Sequence, residues 1–350
     1  MENKSERISY IDYLKVLATF CVIVIHVCAT AWYDIDSNSS GWKMIHLYDS
    51  LARWCVPAFV MASGALFLSR DIPIKELYRK YILRLALAYI GWAVFYGIFS
   101  SRAVVDVMVH TITGHYHLWF LPMLIGLYML IPVFRLLVQK ENALKYSIAL
   151  LVLFSLIIPS IMNLRQAFLG ENAILDAADQ LISSFGPVSV AGFSVYYLSG
   201  YYLYTHKLSH RKKRFTYVLG AVGFLYTFFV TISATRLNGE TTEVFYDYLS
   251  INVFMMTIAV FIAFQSLSYK NSRKNRIVAV VSKYCFTVYL VHPVMINLLN
   301  RVLGLTVTSF HPGLSVLVLA LLVLALSLCF AACVQLAWKS VVSVVQRLFH

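Results

Sequence analysis

The chain has 350 residues, of which 60% are hydrophobic and only 13% charged, with a formal net charge of +13 and a mean hydropathy of +0.74. That balance excludes an ordinary soluble globular domain, in which about a quarter of residues are charged, and points to a chain solvated by lipid. The basic residues fall in short clusters between apolar runs, without the interleaved aromatics of a nucleic-acid surface, so no nucleic-acid partner is expected and the excess charge needs a topological reason.

Apolar runs long enough to cross a bilayer lie near residues 11–31, 46–68, 80–99, 118–138, 142–162, 188–205, 215–235, 248–268, 278–300 and 313–337. They predict an all-α integral membrane protein, a bundle of about ten transmembrane helices forming a single domain over residues 1–350. With the N-terminus in the cytoplasm, the inner segments hold "SRDIPIKELYRKYILR", "RLLVQKENALK", "KLSHRKKR" and "YKNSRKNR". The outer loops then hold only Lys43, Arg102, Arg165, Arg236 and Arg301. This positive-inside pattern places both termini in the cytoplasm of a multi-pass protein of the inner or plasma membrane.

The first span, "YIDYLKVLATFCVIVIHVCATAW", carries Asp12, Lys15 and His26. Lys4, Arg7 and Lys15 ahead of an apolar run ending in "ATA" resemble a cleaved signal peptide, but Lys15 sits too close to the run, and the span is expected to stay. The eleven residues from Lys15 to His26 return to within roughly 20° of one helix face at a rise of about 16 Å, and Asp12 lies about 40° from that line. One face therefore carries a carboxylate and an ammonium near the cytoplasmic boundary and an imidazole near mid-membrane. Ionisable groups inside spans are costly and commonly face a cavity or the protein interior, which favours a functional His26, whereas Lys15 can snorkel without a role.

The second span holds "RWCVPAFVMASGALFL", with Arg53 about two turns below the outer surface, where a guanidinium needs an anion or several acceptors. The third begins with "YRKYILR", supplying Arg79, Lys80 and Arg84. The fourth opens with "HYHLWFLPMLIGLYMLIPVF". There His115 and His117 lack a third metal ligand, and Trp119 fits an interfacial aromatic belt. The long outer loop 163–188 spaces its apolar residues as a surface-lying helix would, serving as connector or lid. The ninth span holds "SKYCFTVYLVHP", with His292 near mid-depth or beyond, just before Pro293. All six cysteines fall within predicted spans and read as small buried apolar residues, with no metal site expected.

Together "IDYLKVLATFCVIVIH", "RWCVPAFVMASGALF", "HLWFLPMLIGLYMLIPVF" and "SKYCFTVYLVHP" resemble the acyltransferase-3 family of integral-membrane acyltransferases over nearly the whole chain. The likeness is greatest to its standalone branch, which includes the enterobacterial common antigen O-acetyltransferase. The family is marked by a basic residue, ten intervening residues and a histidine in the first span, matched by Lys15 and His26. The resemblance implies that His26 is essential for transferring an acyl group, most simply acetyl, from cytoplasmic acyl-CoA to a hydroxyl of an envelope glycan or lipid-linked saccharide. Acyl-CoA is then a co-substrate and no cofactor is held permanently. The family's paired arginines at the start of the third span are met here by Arg79, Lys80 and Arg84 with altered spacing. Many relatives carry an appended esterase-like or racemase domain. These 350 residues contain neither, which implies transfer completed within the membrane domain or acyl hand-over to a separate protein.

Residue chemistry supports the same mechanism. Ester formation needs a base for the acceptor hydroxyl, and neutral imidazole suits that task in a low-dielectric site, although a covalent acyl carrier at His26 is equally compatible with the sequence. Lys15 and Arg84 lie where CoA phosphates would arrive, while Arg53 or His117 could stabilise the developing oxyanion. Asp12, Trp119 and His292 complete the candidate substrate contacts. The rival reading is a polytopic exporter of polysaccharide or lipid-linked sugar; no inverted repeat supports it, and the intramembrane ionisable groups concentrate in spans one, two, four and nine. The sequence leaves the acceptor and the oligomeric state open and allows a homo-oligomer.

Overall fold

In lipid a backbone N–H or C=O has no water to bond, so long apolar runs must close their hydrogen bonds internally as helices. The structure, a computed structural model, describes residues 8–100, 104–169, 189–267, 269 and 272–348, and the regular elements among them are all helical. In chain order these are α1 (Ser9–Ala29), α2 (Ser40–Ala52), α3 (Cys55–Leu68), α4 (Ile74–Phe99), α5 (Val104–Thr113), α6 (Phe120–Met129) and α7 (Ile131–Val138). After them come α8 (Glu141–Phe168), α9 (Ser189–Thr205), α10 (His210–Asn238), α11 (Ile251–Ser266), α12 (Ser272–Asn297) and α13 (Pro312–Leu348). π-helical turns interrupt α4 at Leu77–Ile82 and α8 at Leu153–Ile157, and a third, Leu298–Val302, follows α12.

Eight helical segments among the described residues are long and apolar enough to span a membrane, nine if α6 and α7 count as one bent span. Of the ten expected spans, 118–138 is broken by 55° between α6 and α7. Pro132, near the start of α7, carries no N–H for the carbonyl four residues back and so cannot continue α6. The segment 188–205 is α9, whose 17 residues reach about 26 Å, short of the ~30 Å hydrocarbon core. The second span starts earlier than expected, at Ser40, and is interrupted at Arg53 and Trp54. Pro57, in the first turn of α3, can donate nothing to the Arg53 carbonyl, so the helix restarts there. Helix α5 was not expected. It packs on α4, with Gly97 against the Val107 carbonyl. Of the surface helix expected at 163–188, the part over 170–188 lies outside the described residues.

The chain divides into two compact units, one of Met1–Val56, Phe224–Glu243 and Ala259–His350, the other of Pro57–Gly223 and Val244–Ile258. In the first unit α1 packs on α2, α12 and α13, and α13 also packs on α2 and α12. Its buried core includes Leu14, Ala18, Ile23, Trp32, Trp42, Ile45, Val288 and Val316.

In the second unit α4 packs on α5 and α6, and α9 packs on α6 and α8. Helices α3 and α9 approach through reciprocal glycines. A β-carbon on Gly64 would lie 1.9 Å from the Tyr197 carbonyl oxygen, and one on Gly200 would lie 2.1 Å from that of Met61. Small residues that let helix backbones meet are the usual means of close packing within a membrane.

Candidate active site

In the first unit, α1 and α12 run parallel, tied by side chains at successive levels. Tyr13 donates to Asn275 Oδ1 at 3.2 Å, and Ser282 donates to Asp12 Oδ1 at 2.7 Å. Farther along, the rings of His26 and His292 meet with centroids 5.0 Å apart and planes at 30°. Asp12 is buried, while Lys15 and His26 are half-buried. Asp12 sits in the first turn of α1 and His26 in the last, the ends where the helix dipole favours negative and positive charge respectively. The structure thus joins two expected residues, His26 and His292, and gives Asp12 a hydroxyl partner.

Arg53 ends α2 and receives the anion its depth requires. Its Nε and Nη2 each lie 2.6 Å from Asp49, on Oδ1 and Oδ2, one helical turn back. Beside this fork His46 is fully buried in an aromatic box. It stacks on Trp42 at 5.2 Å and on Phe228 at 4.7 Å, with Trp32 at 5.9 Å. His46 Nε2 lies 2.8 Å from the Phe228 carbonyl, so Nε2 donates, and Nδ1 accepts from Ser50. A ring satisfied at both nitrogens is a structural tie between α2 and α10. Asp49 and His46 escaped the sequence reading, although the four-residue spacing of Asp49 and Arg53 was a usable signal.

In the second unit His115 and His117 share a hydrogen bond between their Nδ1 atoms at 2.8 Å, so one donates and the other accepts. Tyr96 stacks on His115 at 4.2 Å and meets His117 edge-on at 5.1 Å. His117 is buried, and among the described residues no group of three His, Cys, Asp or Glu is placed to hold a metal ion. Trp119 is 40% exposed and its ring lies on Phe193 and Tyr248, which leaves it as an aromatic platform.

Arg79, Lys80 and Arg84 are exposed on the early part of α4. Pro73, Lys75, Glu76, Arg79 and Lys80 line an open cleft of about 540 Å³. Glu76 takes up Lys80 at 3.0 Å, leaving Lys75 and Arg79 as the cleft's other cations. The π-helical turn Leu77–Ile82 bears on the altered basic spacing. Five α-helical residues would leave Arg84 about 140° from Arg79, and a turn closed i→i+5 brings it back toward the same side. The loop before the cleft is held by Arg135 of α7, which donates to the Ile72 and Arg70 carbonyls at 2.7 and 2.8 Å and lies 3.6 Å from Asp71. No sequence signal pointed to Arg135, whose role depends on tertiary contacts 63 to 65 residues away.

Chemically, the first unit offers an imidazole pair and a paired guanidinium, and the second a cationic cleft suited to phosphate oxygens. Residues 8–334 match a protein family described as an acyltransferase domain. Comparison with curated proteins and with solved structures gave no match.

Proposed function

The chain belongs to the acyltransferase-3 family, matched over residues 8–334 of 350, and from that premise we propose that this multi-pass membrane acyltransferase acetylates a hydroxyl of an envelope glycan or lipid-linked saccharide, using cytoplasmic acetyl-CoA. In this reading it sits in the inner membrane with ten spans and both termini in the cytoplasm, within the standalone branch that includes the enterobacterial common antigen O-acetyltransferase.

His26 takes the proton of the acceptor hydroxyl. The oxygen attacks the thioester carbonyl, and collapse of the tetrahedral intermediate breaks the C–S bond. The proton on the imidazolium passes to the departing CoA thiolate, which returns His26 to its neutral form. Arg79, Lys80 and Arg84 are the second unit's contacts for CoA phosphates and Lys15 the first unit's, and within the first unit Arg53 faces the developing oxyanion. Asp12, in the first turn of α1 near Lys15, belongs with the donor contacts rather than with the His26 end, and in the second unit Trp119 offers its ring to a sugar.

The observation carrying this reading is His26, packed on a second imidazole and eleven residues beyond Lys15, inside a chain of this family. Its test is the His26→Gln enzyme, because glutamine hydrogen-bonds but accepts no proton at neutral pH. Membranes given radiolabelled acetyl-CoA should transfer acetyl about a hundredfold more slowly or worse. A near wild-type rate overturns the base, and label retained without acceptor on the wild-type protein but not on His26→Gln would make His26 an acyl carrier instead.

A further inference from the structure

Pro293 follows His292 in the interior of α12. Proline carries no N–H, so the carbonyl four residues back, that of Tyr289, loses its helical donor. The neighbouring imidazole takes that place, with His292 Nδ1 2.7 Å from the Tyr289 oxygen. A carbonyl only accepts, so Nδ1 holds the proton, and the neutral ring then has its lone pair on Nε2. One proline thereby fixes both the orientation and the tautomer of a ring that is 0% exposed and lies against His26.

We infer that His292 is a positioning residue for His26, locked by Pro293. This rests on the reading of His26 as the base. The ring contact restricts the rotation of His26, which has to meet the acceptor hydroxyl in one orientation. It also presents a neutral neighbour to the imidazolium formed when His26 takes the proton. A second charged imidazole 5.0 Å away would oppose that charge strongly where water is scarce.

The decisive variant is Pro293→Ala. It supplies an N–H at position 293 that competes for the Tyr289 carbonyl and releases His292 Nδ1. Alanine suits a helix interior better than proline, so a purely structural role for Pro293 predicts unchanged kcat with equal or higher thermal stability. The positioning role predicts kcat lower by about tenfold or more, since misplacing a catalytic group by ~1 Å can cost ~100-fold. The KM for acetyl-CoA should stay as in wild type. If Pro293→Ala does not insert, His292→Phe, which keeps an aromatic ring but no donor, is judged on the same readout. Wild-type kcat, or a change confined to KM, overturns the inference. A dead His26→Gln beside a fully active Pro293→Ala overturns the positioning role alone, whereas a fully active His26→Gln removes the base reading beneath it.

Discussion

Asp49 and Arg53 face each other across one turn of α2 with both carboxylate oxygens engaged at 2.6 Å, and their side chains are only 3% and 12% exposed. Removing one member of such a pair strands the other charge, at about 3–5 kcal/mol. Asp49→Asn should therefore lower the thermal midpoint of the detergent-purified protein markedly, while Asp49→Leu with Arg53→Met should recover most of the loss. Acetyl transfer separates structure from chemistry. If Arg53 meets the oxyanion, the stable double variant stays inactive, and a double variant with wild-type rates would make the pair purely structural.

The proposed binding of acetyl-CoA by basic residues gives a prediction in each direction. Arg84→Glu should raise the KM for acetyl-CoA by about tenfold, as expected for one charge-assisted contact, and more than it raises the KM for the acceptor. Lys15→Ala should shift it the same way. Glu76→Gln releases Lys80 from its ion pair and should lower that KM slightly, by about twofold given the worth of an exposed pair. Initial rates against acetyl-CoA concentration decide, and wild-type donor kinetics in all three variants would move the donor elsewhere.

Arg135→Gln removes a charge bonded to two carbonyls of the loop leading into the cationic cleft. Each such bond is worth about 1.5–3 kcal/mol. The expected outcome is a raised KM for acetyl-CoA together with faster proteolysis between α3 and α4, read by limited digestion and mass spectrometry. Unchanged digestion would mean that other contacts hold the loop.

Gly200→Ala would place a methyl group 2.1 Å from the Met61 backbone oxygen, so α3 and α9 must separate. Overpacking of this kind costs about 1–3 kcal/mol or more, and a backbone atom cannot step aside as a side chain can. Gly91→Ala, with nothing within 4 Å of the added carbon, should be neutral or mildly stabilising. Fluorescence-detected chromatography after heating should rank the two variants in that order.

Cysteines placed at Lys213 and Asn238, near opposite ends of α10, should label from the cytoplasmic and the outer side respectively. The reverse result would invert the placement of donor and acceptor.

The sequence made the membrane character, most spans and the line from Lys15 to His26 legible, because a 20-residue apolar run and a 3.6-residue period are local properties. The need of Arg53 for an anion was also legible, but not that Asp49, one turn earlier in the same helix, supplies it. Other features depend on information that no local pattern carries. Arg135 acts on residues far back in the chain, Gly64 and Gly200 matter only because two helices cross there, and the π-helical turns leave no mark in composition. The short, bent or interrupted spans each contain or adjoin a proline or an ion pair, which hydropathy averages away.

The wide turn at Leu77–Ile82 also bears on how this chain can vary in length. A π-helical turn holds one residue more than an α-helical turn, so losing any one residue there would leave a regular helix. No hydrogen bond need be sacrificed, and Arg84, then four α-helical residues from Arg79, would stay within about 40° of the same side of the helix. At this place a gap of one residue in the gene should be milder than the same gap elsewhere in α4, and relatives one residue shorter here should keep the aim of their basic side chains.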